Sequence, residues 1–429
     1  MKVFKFGGAS VNSVERVQNL ASIMKLYKGQ PLVVIISAIG KTTNALEKVS
    51  EAFFEGRKEG ALQLFEIVKK QHLTIAKYVL VKQFNHCLAQ LVDIFTEVEW
   101  LLHDKPVRNY DYYYDQIVCV GELLSTCIVS HYLQEEGIDN TWLDVRDIIK
   151  TDNNFRDATI DWAATKQKVE ALAGRLEPEN QVNSTSSTPN IIITQGFIGA
   201  TDENESTTLG REGSDYTAAV FANMLNAESV TIWKDVEGVM NADPKQFPDA
   251  QLISELSFEE VIEMAFYGAQ VIHPKTIKPL QNKNIPLYVK CFLDPDLPGT
   301  LIHKKHINDL PPIIVMKQHQ TLVNLRTQDF SFVGEEPVSQ LYEILGHLKI
   351  KPNLIQTAAI DVQLCMDEKS DKTAELAVAA SAIFDVQVEK GLQLLTIRHY
   401  NEPLLQMMIQ GKEIILRQQT RETVQVLYK

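Results

Sequence analysis

The sequence predicts an α/β protein, a sheet covered by helices over its first two-thirds with a smaller α+β region after it. Three observations predict this. Short β-rich apolar runs alternate with helical stretches up to about residue 303. The rhythm changes after Leu310-Pro311-Pro312, where prolines punctuate the chain. A length of 429 residues exceeds what one ordinary core accommodates, so two or three domains are expected.

Residues 2–6 and 32–37 read as the first two strands. Between them Val14, Val17, Leu20, Ala21, Met24 and Leu26 recur at roughly helical spacing. Residues 43–105 read as entirely helical, with apolar positions such as Leu62, Leu64, Ile67, Leu73 and Ile75 among charges. A helix over about 116–134 follows, then a strand over 140–144. Residues 183–190 form a Ser/Thr/Asn/Pro loop that leads into a buried strand over 191–194. Further strands are expected at 229–234, 286–289 and 300–302. In the C-terminal part, 312–317 and 321–326 read as strands, 337–348 as a helix, and 353–358 and 360–366 as strands. A helix over 371–384, a strand over 391–398, a short helix near 404–409 and strands over 413–417 and 423–427 complete the pattern. This βαββ-type repetition predicts two small α+β modules, the second shorter than the first.

Hydrophobic residues make up 45% and charged residues 23% of the chain, the composition of a soluble globular protein. A formal net charge of −13 argues against nonspecific nucleic-acid binding and against adsorption to an anionic membrane. It still allows an anionic substrate, provided that cationic side chains cluster locally. Apolar runs such as 32–37 and 191–193 are too short to span a membrane. The chain runs directly into the strand-like Val3-Phe4-Lys5-Phe6 without a signal-peptide segment, so a cytoplasmic location is expected. Cys87, Cys119, Cys127, Cys291 and Cys365 lack CxxC spacing and read as reduced core thiols, with no metal or disulfide role.

The first motif follows strand 2–6. Gly7-Gly8 lets backbone N–H groups approach an anion, the helix that follows adds partial positive charge, and Lys5 can supply a full one. Taken alone, such a turn more often merely connects elements. Gly40-Lys41-Thr42 looks like the end of a P-loop, but Ile35 stands where that pattern needs a glycine. No Gly-x-Gly-x-x-Gly run exists either, which disfavours a P-loop NTPase or a Rossmann dehydrogenase. In Gly121-Glu122-Leu123-Leu124-Ser125, Glu122 is either a first-turn acid favoured by the helix dipole or an acceptor for a substrate ammonium.

The most informative stretch is Thr194-Gln195-Gly196-Phe197-Ile198-Gly199, a flexible loop, and then Thr207-Thr208-Leu209-Gly210-Arg211-Glu212-Gly213-Ser214-Asp215 before a helix over 216–225. It reads as a second anion-binding turn, with the planar fork of Arg211 suited to a carboxylate. Asp215 would repel phosphate and reads better as the group that orients a lysine such as Lys5. Its alternative is a helix N-cap, which Ser214 could fill equally well. Trp233-Lys234-Asp235 ends a strand and leads to Asp243-Pro244-Lys245, a place where an α/β sheet usually binds a nucleotide. His273, just before Pro274, reads as a turn residue with no catalytic role.

Five segments in this order and spacing resemble the aspartokinase family of the amino-acid-kinase superfamily: KFGGASV (5–11), SAIGKTTN (37–44), GELLS (121–125), TQGFIG with TTLGREGSD (194–215), and KDVEGVMNADPK with MAFYGAQVIHP (234–274). The resemblance implies a three-layer αβα amino-acid-kinase fold over 1–303. Over 304–429 it implies a paired ACT-like, ferredoxin-like regulatory region with an abbreviated second module. It implies ATP- and Mg²⁺-dependent phosphorylation of the β-carboxylate of L-aspartate to 4-phospho-L-aspartate, and a homodimer. Lys5, Gly7 and Gly8 would hold phosphates, with Lys5 stabilising the transferring group and Asp215 orienting Lys5. Ser37, Thr43, Glu122, Phe197, Arg211 and Ser214 would surround aspartate, Arg211 taking the α-carboxylate and Glu122 the ammonium. Lys234, Asp235, Met240 and Lys245 would flank the nucleotide, and no side chain is assigned as a metal ligand.

Several positions depart from the family's pattern. Ala9 replaces a usual threonine, Glu212 a usual glycine, Gln270 a common lysine and Met240 an aromatic residue. Lys275 is a candidate to compensate for Gln270. In lysine-inhibited relatives an acidic residue and a serine grip the effector; here the corresponding positions are Asn353 and Ala358. An uncharged Asn353 would hold an ammonium less strongly, which leaves lysine or threonine open as effector. Two other readings stay open: a glutamate or N-acetylglutamate kinase, and an amino-acid sensor with a decayed kinase domain.

Overall fold

A computed structural model describes residues 1–176, 190–329 and 331–429. Most of the loop expected over 183–190 lies outside the described residues. The chain forms two compact units, Met1–Val239 with Leu252–Ile262 and Val271–Ile307, and Met240–Gln251 with Glu263–Gln270 and Asn308–Lys429.

In chain order the strands up to residue 303 are β1 (Lys2–Phe6), β2 (Leu32–Ile36), β3 (Thr141–Leu143), β4 (Ile191–Gln195), β5 (Ile198–Ala200), β6 (Ser206–Thr208), β7 (Ser229–Lys234), β8 (Val239–Met240), β9 (Leu252–Ile253), β10 (Glu255–Ser257), β11 (Leu287–Cys291) and β12 (Thr300–His303). Eight of them build one sheet in the order β10-β12-β11-β7-β1-β2-β4-β3. Every neighbouring pair is parallel except β11 with β12. All five residues of β2 and of β4 are buried, as a parallel sheet covered on both faces requires. The core beside β1 is aromatic: the rings of Phe6 and Trp233 stack at 5.9 Å with planes 2° apart, and Phe4 and Phe292 add edge contacts. β2 follows β1 on one side and β7 pairs with it on the other. The strand order therefore reverses at β1, and the carboxyl ends of the strands at such a switch point are where open α/β sheets bind ligands.

The stretch 43–105, read as entirely helical, is three helices: Thr42–Phe54, Lys58–Val79 and Phe84–His103. The first break falls at Gly56, whose φ of 79° a helix cannot continue through. The helix expected over 116–134 is two, Tyr110–Val118 and Val120–Glu135. The span Tyr110–Glu135 is long and apolar enough to cross a membrane by length and composition, yet its most apolar window is 94% buried inside the protein. Inspection of uninterrupted apolar runs alone overlooked it, because polar residues that the fold buries interrupt its apolar positions. Residues 200–206, read as part of a flexible loop, join β5 and β6 in an antiparallel hairpin.

The second unit holds β13 (Ile313–Thr327), β14 (Leu354–Thr357), β15 (Asp361–Asp367), β16 (Phe384–Arg398), β17 (Ile414–Gln419) and β18 (Thr423–Tyr428). They form an antiparallel sheet in the order β14-β15-β13-β16-β18-β17. The two strands expected over 312–326 are one, broken in register between Lys317 and Gln320, where His319 takes a φ of 53°. The helix expected over 371–384 ends at Ala380, and Phe384 begins β16 as a buried core residue.

The C-terminal half of β13, helix Glu335–His347, β14, β15, helix Ser370–Ala380 and the start of β16 make a ferredoxin-like βαββαβ module. Its core includes Val323, Leu325, Leu341, Leu364, Leu376 and Phe384. The other halves of β13 and β16 join helix Glu402–Ile409, β17 and β18 around Leu395, Ile397, Leu405, Val424, Val426 and Tyr428. Two long strands thus serve two small cores.

Trp233→Ala removes the centre of the aromatic stack and is expected to cost about 3–5 kcal/mol. The shift of the urea unfolding midpoint measures this; a loss below about 1 kcal/mol would show that the stack does not hold the sheet.

Candidate functional site

β1 runs straight into the Gly7-Gly8 turn. Ser10 N–H donates to Gly7 O at 2.9 Å, and Gly40 N–H donates to Gly8 O at 3.0 Å. A Cβ on Gly8 would stand 2.5 Å from Ala38 O, which is backbone and cannot yield, so the close approach of the two loops requires glycine. A Cβ on Gly7 would lie 3.5 Å from Lys5 Nζ, which places the lysine ammonium over the turn. Lys5 Nζ is 2.6 Å from Asp215 Oδ1, and both side chains are nearly buried. The contact is an ion pair, and Asp215 Oδ1 has no hydrogen-bond partner among the described residues.

Asp215 reaches Lys5 because of how helix Gly213–Met224 begins. Glu212 precedes it in a left-handed conformation, φ 54°, and neither Ser214 nor Asp215 caps it. Both lie in the first turn, which frees the Asp215 carboxylate to face the lysine. Gly196 and Gly213 let the neighbouring loop interlock with this turn. A Cβ on Gly196 would meet Ser214 Cβ at 2.6 Å, and one on Gly213 would meet Phe197 Cδ2 at 2.8 Å. Phe197 itself has φ 70°, and its N–H donates to Thr217 Oγ1 at 3.1 Å.

The GELLS segment starts helix Val120–Glu135 at the carboxyl end of β2. A Cβ on Gly121 would press on Ala38, Leu46 and Thr42 at 3.1–3.2 Å, so glycine lets the helix reach this loop. Ser125 Oγ donates to Ser37 O at 2.8 Å, and Ser37 N–H donates to Phe6 O at 3.1 Å. Glu122 is 3% exposed. Its Oε1 accepts from Ala38 N–H at 3.4 Å, while Oε2 has no hydrogen-bond partner among the described residues. Burial pushes its carboxyl up to about 8, against the Ala38 N–H and the Lys5 charge, which both act to lower it. Ser37 and Thr43 are half-buried beside it, the latter in the first turn of helix Thr42–Phe54.

Arg211 is exposed, and its guanidinium has no ionic partner among the described residues. Glu212 accepts from His273 N–H at 2.9 Å, and His273 Nδ1 accepts from Lys275 N–H at 3.1 Å at the start of helix Pro274–Lys283. Lys275 Nζ donates to Leu209 O at 2.9 Å and to Asp157 at 3.2 Å. It frames the Arg211 loop instead of standing free for a phosphate. Lys234 Nζ donates to Val271 O at 2.7 Å, and Asp235 is exposed at the end of β7. Met240 and Lys245 belong to the second unit, where Lys245 is exposed. Ala9 leaves no hydroxyl in the turn; its carbonyl accepts from Arg16 at 2.8 Å.

Asp115 and Gln195 hold this frame; Gln195 lies within the TQGFIG motif but had no role there, and Asp115 gave no signal in the sequence. Asp115 is fully buried and accepts from Thr208 N–H at 2.8 Å, Thr208 Oγ1 at 2.7 Å and Arg156 N–H at 3.0 Å. Burial raises its carboxyl to about 6, and these donors oppose the rise. Gln195 Oε1 accepts from Val145 N–H and its Nε2 donates to Thr126 Oγ1, both at 2.7 Å. In a run such as Tyr-Asp-Tyr-Tyr-Tyr-Asp, one buried acid cannot be told from its exposed neighbour Asp111.

At the switch point of this largely parallel sheet stand a Gly-Gly turn, a nearly buried lysine–aspartate pair and a buried acid. The sequence pattern of the Amino acid kinase family matches residues 1–291, and the chain belongs to that family. It is 32% identical over 406 residues to the lysine-sensitive aspartokinase 3 of Escherichia coli, a match covering 92% of this chain and 86% of that protein. Within the amino acid kinases, the chain is therefore a member of the aspartokinase family. The crystal structure of E. coli aspartokinase III in complex with aspartate and ADP (R-state) matches all of this chain and 96% of that one, at TM-score 0.81 and 28% identity. The same enzyme in complex with lysine and aspartate (T-state) gives TM-score 0.78 at 28% identity, covering 100% and 95% of the two chains.

Asp115→Ala strands the buried Thr208 N–H and hydroxyl and removes the acceptor of the part-buried Arg156 N–H, at an expected cost of about 3 kcal/mol. Thermal unfolding measures it, and a change within about 0.5 kcal/mol would remove Asp115 from this frame.

Proposed function

We propose that this chain transfers the γ-phosphoryl group of ATP to the β-carboxylate of L-aspartate, giving 4-phospho-L-aspartate and ADP. The observation that carries the reading is Glu122, a buried acid with an unpartnered oxygen at the carboxyl end of β2. The α-ammonium of an amino acid supplies the missing partner. Arg211, unpaired at the same end of the sheet, takes the α-carboxylate in a forked contact. Ser37, Thr43, Phe197 and Ser214 enclose the substrate between them.

The acceptor carboxylate is already ionised at neutral pH, so the reaction needs no strong base. It needs positive charge that brings two anions together and neutralises the moving phosphoryl group. Lys5 supplies it, and Asp215 holds the ammonium in place as a positioning residue. The Gly7-Gly8 turn fits a phosphate on the Gly7 side, where a Cβ would have only Lys5 Nζ within 4 Å, at 3.5 Å. Lys234 and Asp235 sit at the end of β7 on the nucleotide side; Met240 and Lys245 keep their nucleotide assignment by family resemblance. Mg²⁺ suits the same place, since a hard cation takes oxygen donors, and it would be held mainly by phosphate oxygens and water. It would supply further charge neutralisation.

Residues 1–303 are proposed as the catalytic domain and 304–429 as the ACT-like regulatory region of a cytoplasmic homodimer serving lysine, threonine and methionine biosynthesis. The effector is an amino acid, lysine or threonine. In the second unit the Asn353 amide is engaged by Lys317, Gln320 and Asp367 at 2.7–2.8 Å, so titration of both amino acids decides between them.

Purified protein with Mg-ATP and hydroxylamine should trap an acyl phosphate with aspartate and not with glutamate or N-acetylglutamate. Product with glutamate alone would reject the substrate, and no product at all would favour a sensor. Lys5→Ala should lower kcat by about 10²–10³-fold. Arg211→Ala should raise the KM for aspartate more than that for ATP; an unchanged aspartate KM and kcat would reject its role.

Because the Glu122 carboxyl stands near 8 and not near its ordinary 4.5, it is mostly protonated at pH 7 in the free protein. An arriving ammonium lowers it again, so aspartate binding at pH 7 should release a proton and tighten as pH rises from 6 to 8. Calorimetry in buffers of different ionisation heat measures the release; no release would refute the contact. The folded state binds this proton more tightly than the unfolded one, so the penalty for ionising Glu122 grows as pH climbs from about 4.5 to about 8. Glu122→Gln should therefore melt higher than the parent by a margin that widens over that window, while losing aspartate binding.

A further inference from the structure

Cys87 on helix Phe84–His103 and Cys127 on helix Val120–Glu135 are forty residues apart in sequence, and their buried sulfurs lie 4.0 Å apart. His131, one turn beyond Cys127 on the same helix face, brings a ring nitrogen to them, and the three donor atoms lie within 4.8 Å of one another. Among the described residues no other His, Cys, Asp and Glu side chains converge in this way. We propose that Cys87, Cys127 and His131 form a binding site for one thiophilic cation, Zn²⁺ or Cu⁺.

The geometry favours a cation over a disulfide. Two sulfurs each about 2.3 Å from a tetrahedral cation stand about 3.8 Å apart, close to the spacing present. A disulfide needs about 2.05 Å, so the sulfurs of two packed helices would have to close by about 2 Å. The imidazole is set up for the same role. His131 Nε2 lies 3.0 Å from Gln90 Oε1, while Nδ1 is buried and has no hydrogen-bond partner among the described residues. With Nε2–H donating to Gln90, Nδ1 keeps its lone pair. A metal-bound histidine is commonly oriented by this kind of carbonyl contact on its other nitrogen.

Without an ion the Cys127 thiol donates to Gln90 Oε1 at 3.3 Å, beside His131 Nε2, but the buried Nδ1 is left unsatisfied, which is costly. Gln90 is exposed and His131 half-buried, so an ion has a route in from solvent. Binding replaces two thiol protons with one cation, and the protons leave to buffer. The ion would clamp helix Val120–Glu135, which also carries Gly121, Glu122 and Ser125, to helix Phe84–His103. The site is independent of the kinase reading.

The test uses the full chain, reduced and stripped of metal, titrated with Zn²⁺ and Cu⁺ against competing chelators and with Co²⁺ as a spectroscopic probe. One equivalent should bind per chain, with a thiolate-to-cobalt charge-transfer band in the near ultraviolet and a raised melting temperature. Cys87→Ser and Cys127→Ser should abolish the band. Gln90→Ala, an exposed position that does not threaten folding, should weaken binding about 10–100-fold. Cys365→Ser, in the second unit, should change nothing. Failure of the parent chain to bind either Zn²⁺ or Cu⁺ tightly, or binding that survives Cys87→Ser or keeps full affinity in Gln90→Ala, overturns the proposal. Tight binding of Cu⁺ without Zn²⁺, or the reverse, supports it and identifies the ion.

Discussion

The ion pair between Lys5 and Asp215 is the contact around which the rest of the first unit is arranged. It joins the central strand of the sheet to the first turn of helix Gly213–Met224 across nearly buried surroundings, at 2.6 Å. Burying two charges is expensive, and the pair repays that cost only partly, so it contributes little to stability on its own account. Its value lies in holding an ammonium over a glycine turn in a chain whose net charge is −13. In the proposed reaction that fixed local cation offsets the background field for two anionic reactants.

Close backbone approach is the second device of the site. Gly8 against Ala38, Gly196 against Ser214 and Gly213 against Phe197 bring segments closer than a Cβ allows, and Gly121 approaches the Ala38 loop to where a Cβ would be tight. The ends of β1, β2 and β4 and two helix starts thereby converge. Asp115 and Gln195 fasten the frame from behind with short hydrogen bonds to backbone and side chain. A site built this way is placed by the sheet and not by loops of its own, which suits transfer between two reactants that must be aligned.

The second unit solves a different problem. A βαββαβ module and an abbreviated companion are both too small to build large cores, and they share β13 and β16. The irregular register at Lys317–Gln320 divides the shared strand between the two cores. It also places Lys317 against Asn353, so one network of Lys317, Asn353, Gln320 and Asp367 forms at the junction.

By itself the sequence determined the alternation of strands and helices, the change of rhythm after Pro312, and the family through five local motifs. These are properties of short stretches, set by periodicity and by glycines whose need is local. It also placed Lys5, Glu122, Arg211 and Asp215 in the candidate site. Only the tertiary structure decided that β13 is one strand, that residues 198–208 fold back as a hairpin, and that Lys275 and Glu212 brace the Arg211 loop. It alone revealed that Asp115 is buried while Asp111 is exposed, and that Cys87, Cys127 and His131 meet. Each of these depends on partners distant in the chain, and burial and pairing between remote segments leave no trace in the spacing of the residues themselves.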